Sequence, residues 1–336
     1  MTRSHGQLVV IGASAGGVHA LLEIAQALPP SFPVPVCIVQ HIGSNPSLLP
    51  DLLRYRGPND AVHAEDGQRL TPGTLHVAPP DRHILVDGDR LRLTHGPKEN
   101  HARPAIDPLF RSAAVAAGPA AIGVILTGQM DDGTAGLKAI KDCGGTAIVQ
   151  DPAGAAEPEM PLSALRNVDV DHCVPLPEIA PLLARLVAAA APRNPWPAPD
   201  PIAREVIINR GEASVEDLKQ IAEPSSLTCP ECGGALWEMN EKRPLRYRCH
   251  TGHAFSAISL ARSQKDDSEH ALWSTVRALR EREMLLRRMA AISASMGDSA
   301  QAAAGEAHAQ RIRQQSDALQ EFAESVPPDF ELDTAA

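Results

Sequence analysis

The sequence predicts an α/β fold: a doubly wound, mostly parallel sheet with helices on both faces. Two observations predict it, and the composition adds what the core is made of. Short apolar runs alternate with helical stretches over residues 1–190, the pattern of repeated strand-helix units. The runs are unalternated, as in LVVI (Leu8–Ile11) and GVIL (Gly123–Leu126), which a sheet buried on both faces requires. Aromatic residues make up only 3% of the chain, so the core must be built from Val, Ile, Leu and Ala.

Taken in order, Gln7–Ile11 reads as a strand and Gly17–Leu28 as a helix ended by Pro29 and Pro30. Val36–Gln40 and Thr74–Ala78 read as strands, and His83–Leu93 as a hairpin turning at Asp87-Gly88. Asp107–Ala117 reads as a helix, with Asp107 placed to cap and Pro108 at the first helical position. Ile122–Leu126 is an apolar strand, Thr134–Cys143 a helix stopped by Gly144-Gly145, Thr146–Gln150 a strand and Glu178–Ala191 a closing helix.

The length of 336 residues suggests two to three domains, and 43% hydrophobic content suffices for a sizeable core. The net charge of −10 argues against nucleic acid as a partner. The start, Met1–Gln7, is polar, and Leu8–Ile11 is too short for a signal core or a span, so neither secretion nor membrane insertion is expected. Cys37, Cys143 and Cys173 read as buried small apolar residues, which fits a reducing cytoplasmic location.

The composition changes at Pro192–Pro201. PRNPWPAPDP contains five prolines and no periodicity, so residues 191–224 are expected to be a stiff linker. Residues 225–262 form a small unit dense in Cys, His and Gly. Residues 265–327 read as a helical arm or hairpin with a break at Met296-Gly297-Asp298. Leu272, Val276, Leu279 and Leu286 fall near heptad spacing, and Glu283 interrupts that stripe. The plain reading of the arm is a solvated hairpin with one apolar face. A role in positioning the chain on a partner, or in covering a site, is the functional alternative.

The first chemistry-bearing motif is Gly12-Ala13-Ser14-Ala15-Gly16-Gly17, between strand and helix. A dinucleotide-binding turn needs G-x-G-x-x-G and an acid at the end of the second strand. Ser14 stands in place of the middle glycine, and the second strand, VCIVQ, runs into His41. Both departures supply what a hydrolase needs: a serine projecting from a tight turn before a helix N-terminus, and a base. The bland alternative is a small-residue turn with no chemistry.

His41 lies just past a strand's carboxyl end, where open α/β sheets place functional groups. Asp131 and Asp132, in Thr127-Gly128-Gln129-Met130-Asp131-Asp132-Gly133, follow another buried strand. One of them could orient His41, against the alternative of helix capping. Serine, histidine and aspartate thus all project from strand ends of one domain. Their chain order, Ser, His, Asp, differs from that of the α/β-hydrolases and of the two best-known serine protease families.

These motifs make the chain resemble the catalytic domain of the bacterial chemotaxis receptor methylesterases, the protein-glutamate methylesterases. The resemblance covers about residues 6–190. It rests on IGASAGG, IVQH, HVAPPDRH, RPAIDPLFRS, GVILTGQMDDGTAGL and EPEMP, in that order. It implies Ser14 as nucleophile, His41 as base and Asp132, rather than Asp131, as the third member. Gln129-Met130 stand where the family often has Met-Gly, and Ala15 where it often has Thr. His83 and Arg103 match family positions as groove-lining or structural residues. The family's well-known member carries an N-terminal receiver domain. This sequence begins at the catalytic region, so regulation by another route is expected.

The resemblance implies hydrolysis of glutamyl γ-methyl esters on the cytoplasmic helices of chemoreceptors, with release of methanol. It also implies deamidation of receptor glutamines and a role in chemotactic adaptation. The chemistry needs no cofactor. Cys229-x2-Cys232 followed by Cys249 and His253 reads as a zinc ribbon with a structural zinc, His250 being a competing fourth ligand. Methylesterase domains without a receiver are often similar here too. Other chemotaxis signalling proteins are expected partners of the C-terminal region. Two rival functions are a catalytically weak interaction module and a nucleotide-binding oxidoreductase; Ser14 and His41 disfavour the second.

Overall fold

The computed structural model of the chain describes residues 6–189, 197–212 and 214–325. They fall into two compact units, Met1–Leu260 and Ala261–Ala336.

The first unit is built on a seven-stranded parallel sheet. Its strands are β1 (Leu8–Ala13), β2 (Val36–Gln40), β3 (Asp60–His63), β4 (Thr74–Val77), β7 (Ala121–Ile125), β8 (Thr146–Gln150) and β9 (His172–Val174). Their spatial order is β3-β4-β2-β1-β7-β8-β9. β1 lies between β2 and β7, with Ile11 opposite Ile38 on one side and Val124 on the other. Every residue of β1, β2 and β7 is buried, which is why these runs do not alternate.

Helices cover both faces. α1 (Gly17–Ala27), α2 (Leu49–Arg56) and α6 (Leu176–Ala189) pack Leu21, Ile24, Leu53, Ile179 and Leu183 onto one face. α3 (Ile106–Ala117), α4 (Thr134–Asp142) and α5 (Glu159–Asn167) pack Leu109, Phe110, Ile140, Met160 and Ala164 onto the other. The hairpin β5 (His83–Asp87) and β6 (Arg90–Thr94) lies beside α3, where the Val86 N–H donates to Ser112 Oγ at 2.9 Å. The fold class is the one expected. α2, β3, α5 and β9 were not foreseen, because they are short and carry little periodic signal. Cys173 was expected to be buried but is exposed, since β9 is an edge strand.

The region expected to be linker differs most. Part of its Pro-rich run lies outside the described residues. Beyond it, α7 (Asp200–Asn209) and α8 (Val215–Ile221) are regular helices. Pro201 occupies the first turn of α7, where proline costs no hydrogen bond. Ser214 and Asp217 form a capping box at α8. Ile202, Val206, Leu218 and Ile221 are buried.

A four-stranded antiparallel sheet follows: β10 (Ala222–Thr228), β11 (Ala235–Lys242), β12 (Leu245–Cys249) and β13 (Ala254–Ser256). A buried ionic cluster ties it to α7 and the parallel-sheet layer. Arg246 makes a two-pronged bond to Glu205 at 2.8 Å on each arm, and Arg248 reaches Glu99 at 2.8 Å. Arg111 pairs with Glu99 and lies 3.6 Å from Glu205. Breaking such a buried pair by removing one partner leaves an uncompensated charge, at a cost of about 3–5 kcal/mol. Burial opposes the charge on Glu205, but the Arg246 and Arg111 guanidiniums outweigh it and hold the carboxyl down to about 2.

The second unit holds most of α9 (Ala257–Ser295), and α10 (Ser299–Ser325). The break falls at Met296–Asp298, as expected. Glu283 does not interrupt the apolar stripe. It sits within the seam, buried, bonded to Arg287 at 2.7 Å and 3.7 Å from Arg313. Val276, Ala290, Ala309 and Ile312 are the buried apolar residues of this unit among those described.

Candidate active site

Ser14, His41 and Asp132 come from the loops after β1, β2 and β7, three neighbouring strands of one sheet. The chain goes from β1 towards β2 on one side and returns at β7 on the other. The crevice at this reversal is where open α/β sheets bind ligands.

The three side chains form a hydrogen-bonded row. His41 Nδ1 is 3.1 Å from Ser14 Oγ, and His41 Nε2 is 2.8 Å from Asp132 Oδ2. A carboxylate only accepts, so Nε2 carries the proton and the Nδ1 lone pair faces the Ser14 hydroxyl. Asp132 is buried while His41 is partly exposed. The carboxylate is held on every side: Oδ2 also accepts from Ile106 N at 2.6 Å, and Oδ1 from Asn100 Nδ2 at 3.0 Å. Burial alone would raise Asp132, but the His41 bond and charge, with Ile106 N and Asn100, outweigh it and lower its pKa.

Asp131 accepts from Ser256 Oγ at 2.7 Å, while His41 bonds Asp132. Burial raises it to about 6. Asp107 was expected to cap α3, but the cap position is Ala105. Asp107 lies inside the first turn and accepts from Gly136 N of α4 at 2.6 Å. Burial and the adjacent Asp132 charge raise Asp107 to about 8.

Asp107 therefore keeps a proton that the unfolded chain releases. Stability through this group is greatest below the ordinary value of 3.8 and is lost as pH rises through about 8. The urea midpoint of wild type is expected to fall between pH 5 and 8 more than that of Asp107→Asn. Equal declines would contradict the buried neutral acid.

Polar side chains behind the row fix its backbone. Gln40 is buried and donates to the carbonyls of Ser14 at 2.8 Å and His41 at 3.2 Å. Thr127 Oγ1 donates to Ala15 O at 2.9 Å, and Thr127 O accepts from Ser14 N at 3.0 Å. A Cβ on Gly128 would lie 2.8 Å from Ser14 Cβ and closer still to Met160 Sδ, so this position must be glycine. Met130, where the resembled family often has glycine, has φ 63°. That is the left-handed region, and its N–H is held by Glu159 Oε2 at 2.6 Å. Neither His83 nor Arg103 bonds to the row. Buried His83 accepts from Ala105 N at 3.2 Å and bonds Pro97 O at 3.0 Å, while Arg103 donates to Asp81 and Gly96 O.

Comparison with known proteins bears on this arrangement. The family model for the CheB methylesterase matches residues 9–183, more than half of the chain and the whole row. The chain belongs to the CheB methylesterase family. A Leptospira interrogans protein, "Putative protein-glutamate methylesterase/protein-glutamine glutaminase", is 40% identical over 186 residues, covering 54% of this chain and 94% of its own length. An Anaeromyxobacter dehalogenans protein, "Protein-glutamate methylesterase/protein-glutamine glutaminase 4", is 41% identical over 198 residues. That match covers 56% of this chain and 54% of the relative, so the chain spans about half of it. The Thermotoga maritima CheB methylesterase catalytic domain superposes with a TM-score of 0.51 at 34% identity, over 54% of this chain and 98% of that one.

The Cys/His cluster lies beyond the CheB match. Cys229, Cys232, Cys249 and His253 bring their ligand atoms within 4.8 Å of one another. Two tight turns present them: Cys229 N bonds Gly234 O at 2.8 Å, and Cys249 N bonds His253 O at 2.9 Å. Ligand atoms around tetrahedral zinc stand roughly 3.5–3.8 Å apart, from Zn–S and Zn–N bonds of about 2.3 and 2.0 Å. Cys249 Sγ lies 3.8 Å from Cys232 Sγ and 3.5 Å from His253 Nδ1, so the donor set fits that ion. The exposed His250 is not in the cluster. Among the described residues, no helix is long and apolar enough to cross a membrane.

Gln40, Thr127 and Asn100 are the site residues that sequence reasoning missed. Gln40 and Thr127 stand inside the motifs IVQH and GVILTG, which is the one signal that could have found them.

Proposed function

We propose that the chain is a protein-glutamate methylesterase acting on the methylated cytoplasmic helices of chemoreceptors, with glutamine deamidation as a second activity. The observation that carries this reading is the bonded row of 3.1 Å and 2.8 Å from Ser14 through His41 to Asp132, at the strand-order reversal of a CheB domain. The names of the relatives support both activities. The working place of such an enzyme is the cytoplasm.

Ser14 Oγ attacks the γ-ester carbonyl carbon while its proton passes to His41 Nδ1. The carbonyl π electrons move to oxygen, and the resulting oxyanion is met by backbone N–H groups at the turn before α1, that of Ala15 among them. Asp132 stays ionised and balances the imidazolium. The carbon–oxygen bond to the methoxy group then breaks, and methanol leaves with the proton from His41. Water, giving its proton to His41, attacks the acyl-serine; the bond from the carbonyl carbon to Ser14 Oγ then breaks, Oγ takes that proton back from His41, and glutamate is freed. With glutamine the leaving group is ammonia. A serine-directed organophosphonate should label wild type at Ser14 and fail on His41→Ala; labelling elsewhere, or none, would refute the assignment.

The Cys/His set is proposed to hold a structural zinc, closed because four protein ligands leave no open position. When bound, zinc would supply cross-linking of the two turns. Metal analysis of purified protein is expected to give one zinc per chain, lost in Cys249→Ser together with thermal stability. A metal-free chain of unchanged melting temperature would rule it out.

A further inference from the structure

We infer that the antiparallel sheet bearing the Cys/His cluster is a working part of the catalytic centre: through Asn100 it positions Asp132, so metal binding in that sheet tunes the triad. The inference rests on the triad reading above. It assigns Asn100 as a positioning residue and Ser256 and Ser259 as its anchors.

Asn100 lies in the short segment between β6 and α3. One side of it meets β13, which starts directly after His253. Asn100 N donates to Ala254 O at 2.8 Å, and Ala254 N to Lys98 O at 3.3 Å. Asn100 Oδ1 accepts from Ser256 N at 2.8 Å and Ser259 Oγ at 3.0 Å. With its oxygen taken by two donors, the amide can only turn its NH2 the other way. There it donates to Asp132 Oδ1 at 3.0 Å. The neighbouring acid is tied to the same strand, since Ser256 Oγ donates to Asp131.

Two further observations make this a device rather than one bond. Asn100 and His101 have φ of 49° and 61°, a left-handed pair of non-glycine residues that persists only where surroundings hold it. His101 is held by the same sheet: its ring lies 5.1 Å from that of Phe255, and Nδ1 is 3.2 Å from Glu231, between the ligands Cys229 and Cys232. Both turns of the cluster therefore connect to the segment that carries Asn100. Ser256, Ser259 and Asp132 are all buried, so water is a poor substitute for the lost partner.

The test uses the full chain. In zinc-loaded Asn100→Ala, kcat on an activated ester is expected to fall about a hundredfold with KM unchanged and zinc content retained, and melting is expected to fall because Ser256 N and Ser259 Oγ lose their acceptor. Stripping zinc from wild type should slow organophosphonate labelling of Ser14 similarly and raise hydrogen exchange over residues 98–107. Stripping zinc from Asn100→Ala should slow labelling no further, because the two losses share one route. Zinc-loaded Ser259→Ala, which removes the hydroxyl donor to Asn100 Oδ1 and is expected to lose about tenfold in kcat, decides the matter if stripping unfolds the chain. Near wild-type kcat in both variants, or unchanged labelling and exchange on stripping, overturns the inference. If zinc-loaded wild type neither labels nor hydrolyses, the hydrolase reading itself has failed, and exchange alone then decides whether the sheet controls this segment.

Discussion

Ser14→Ala is expected to lower kcat for ester hydrolysis by about a million-fold while leaving the melting temperature unchanged. The hydroxyl is bonded to His41, whereas the turn is held by its backbone. Ser14 N donates to Thr127 O at 3.0 Å, and Ser14 O accepts from Gln40 at 2.8 Å and from Gly17 N at 2.8 Å. None of these needs the side chain. Steady-state hydrolysis of an activated ester beside a thermal melt checks both halves. Turnover near that of wild type would remove Ser14 from the mechanism.

Asp132→Asn should differ in kind. Activity is expected to fall about ten-thousandfold, because an amide nitrogen facing His41 Nε2 reverses the tautomer and turns Nδ1 from acceptor into donor. Stability should fall as well. The carboxylate accepts from Ile106 N, Asn100 Nδ2 and His41, and a buried amide cannot accept at both ends. One donor is left unpaired, at about 1–3 kcal/mol. A denaturant titration next to the rate measurement separates this variant from Ser14→Ala. Loss of rate without loss of stability would mean that the carboxylate's other partners do not depend on it.

The parts of this molecule legible in the sequence are those where one residue type has one reason to be in one place. Buried parallel strands announce themselves as unbroken apolar runs, and Ser14, His41 and Asp132 each follow such a run. The pattern Cys229-x2-Cys232 with Cys249 and His253 announces itself by spacing. What stayed hidden depends on contacts far apart in sequence. Glu205 in an apparent linker, Arg246 and Arg248 in a small cysteine-rich sheet, and Glu99 in a loop look like surface charges until the fold brings them together. Asn100 is likewise an ordinary loop residue until Ser256, 156 positions away, donates to its side chain. Glu283 looks like a fault in an apolar stripe because the sequence does not show that Arg313 approaches it.

The most direct measurement is methanol release from a chemoreceptor cytoplasmic fragment carrying methyl-labelled glutamyl esters, with zinc-loaded wild type beside Ser14→Ala. Release by wild type alone is the result expected of a methylesterase working through this serine. Equal release by both proteins, or none from a wild type that still labels at Ser14, would contradict it, the first by removing the nucleophile and the second by removing the substrate.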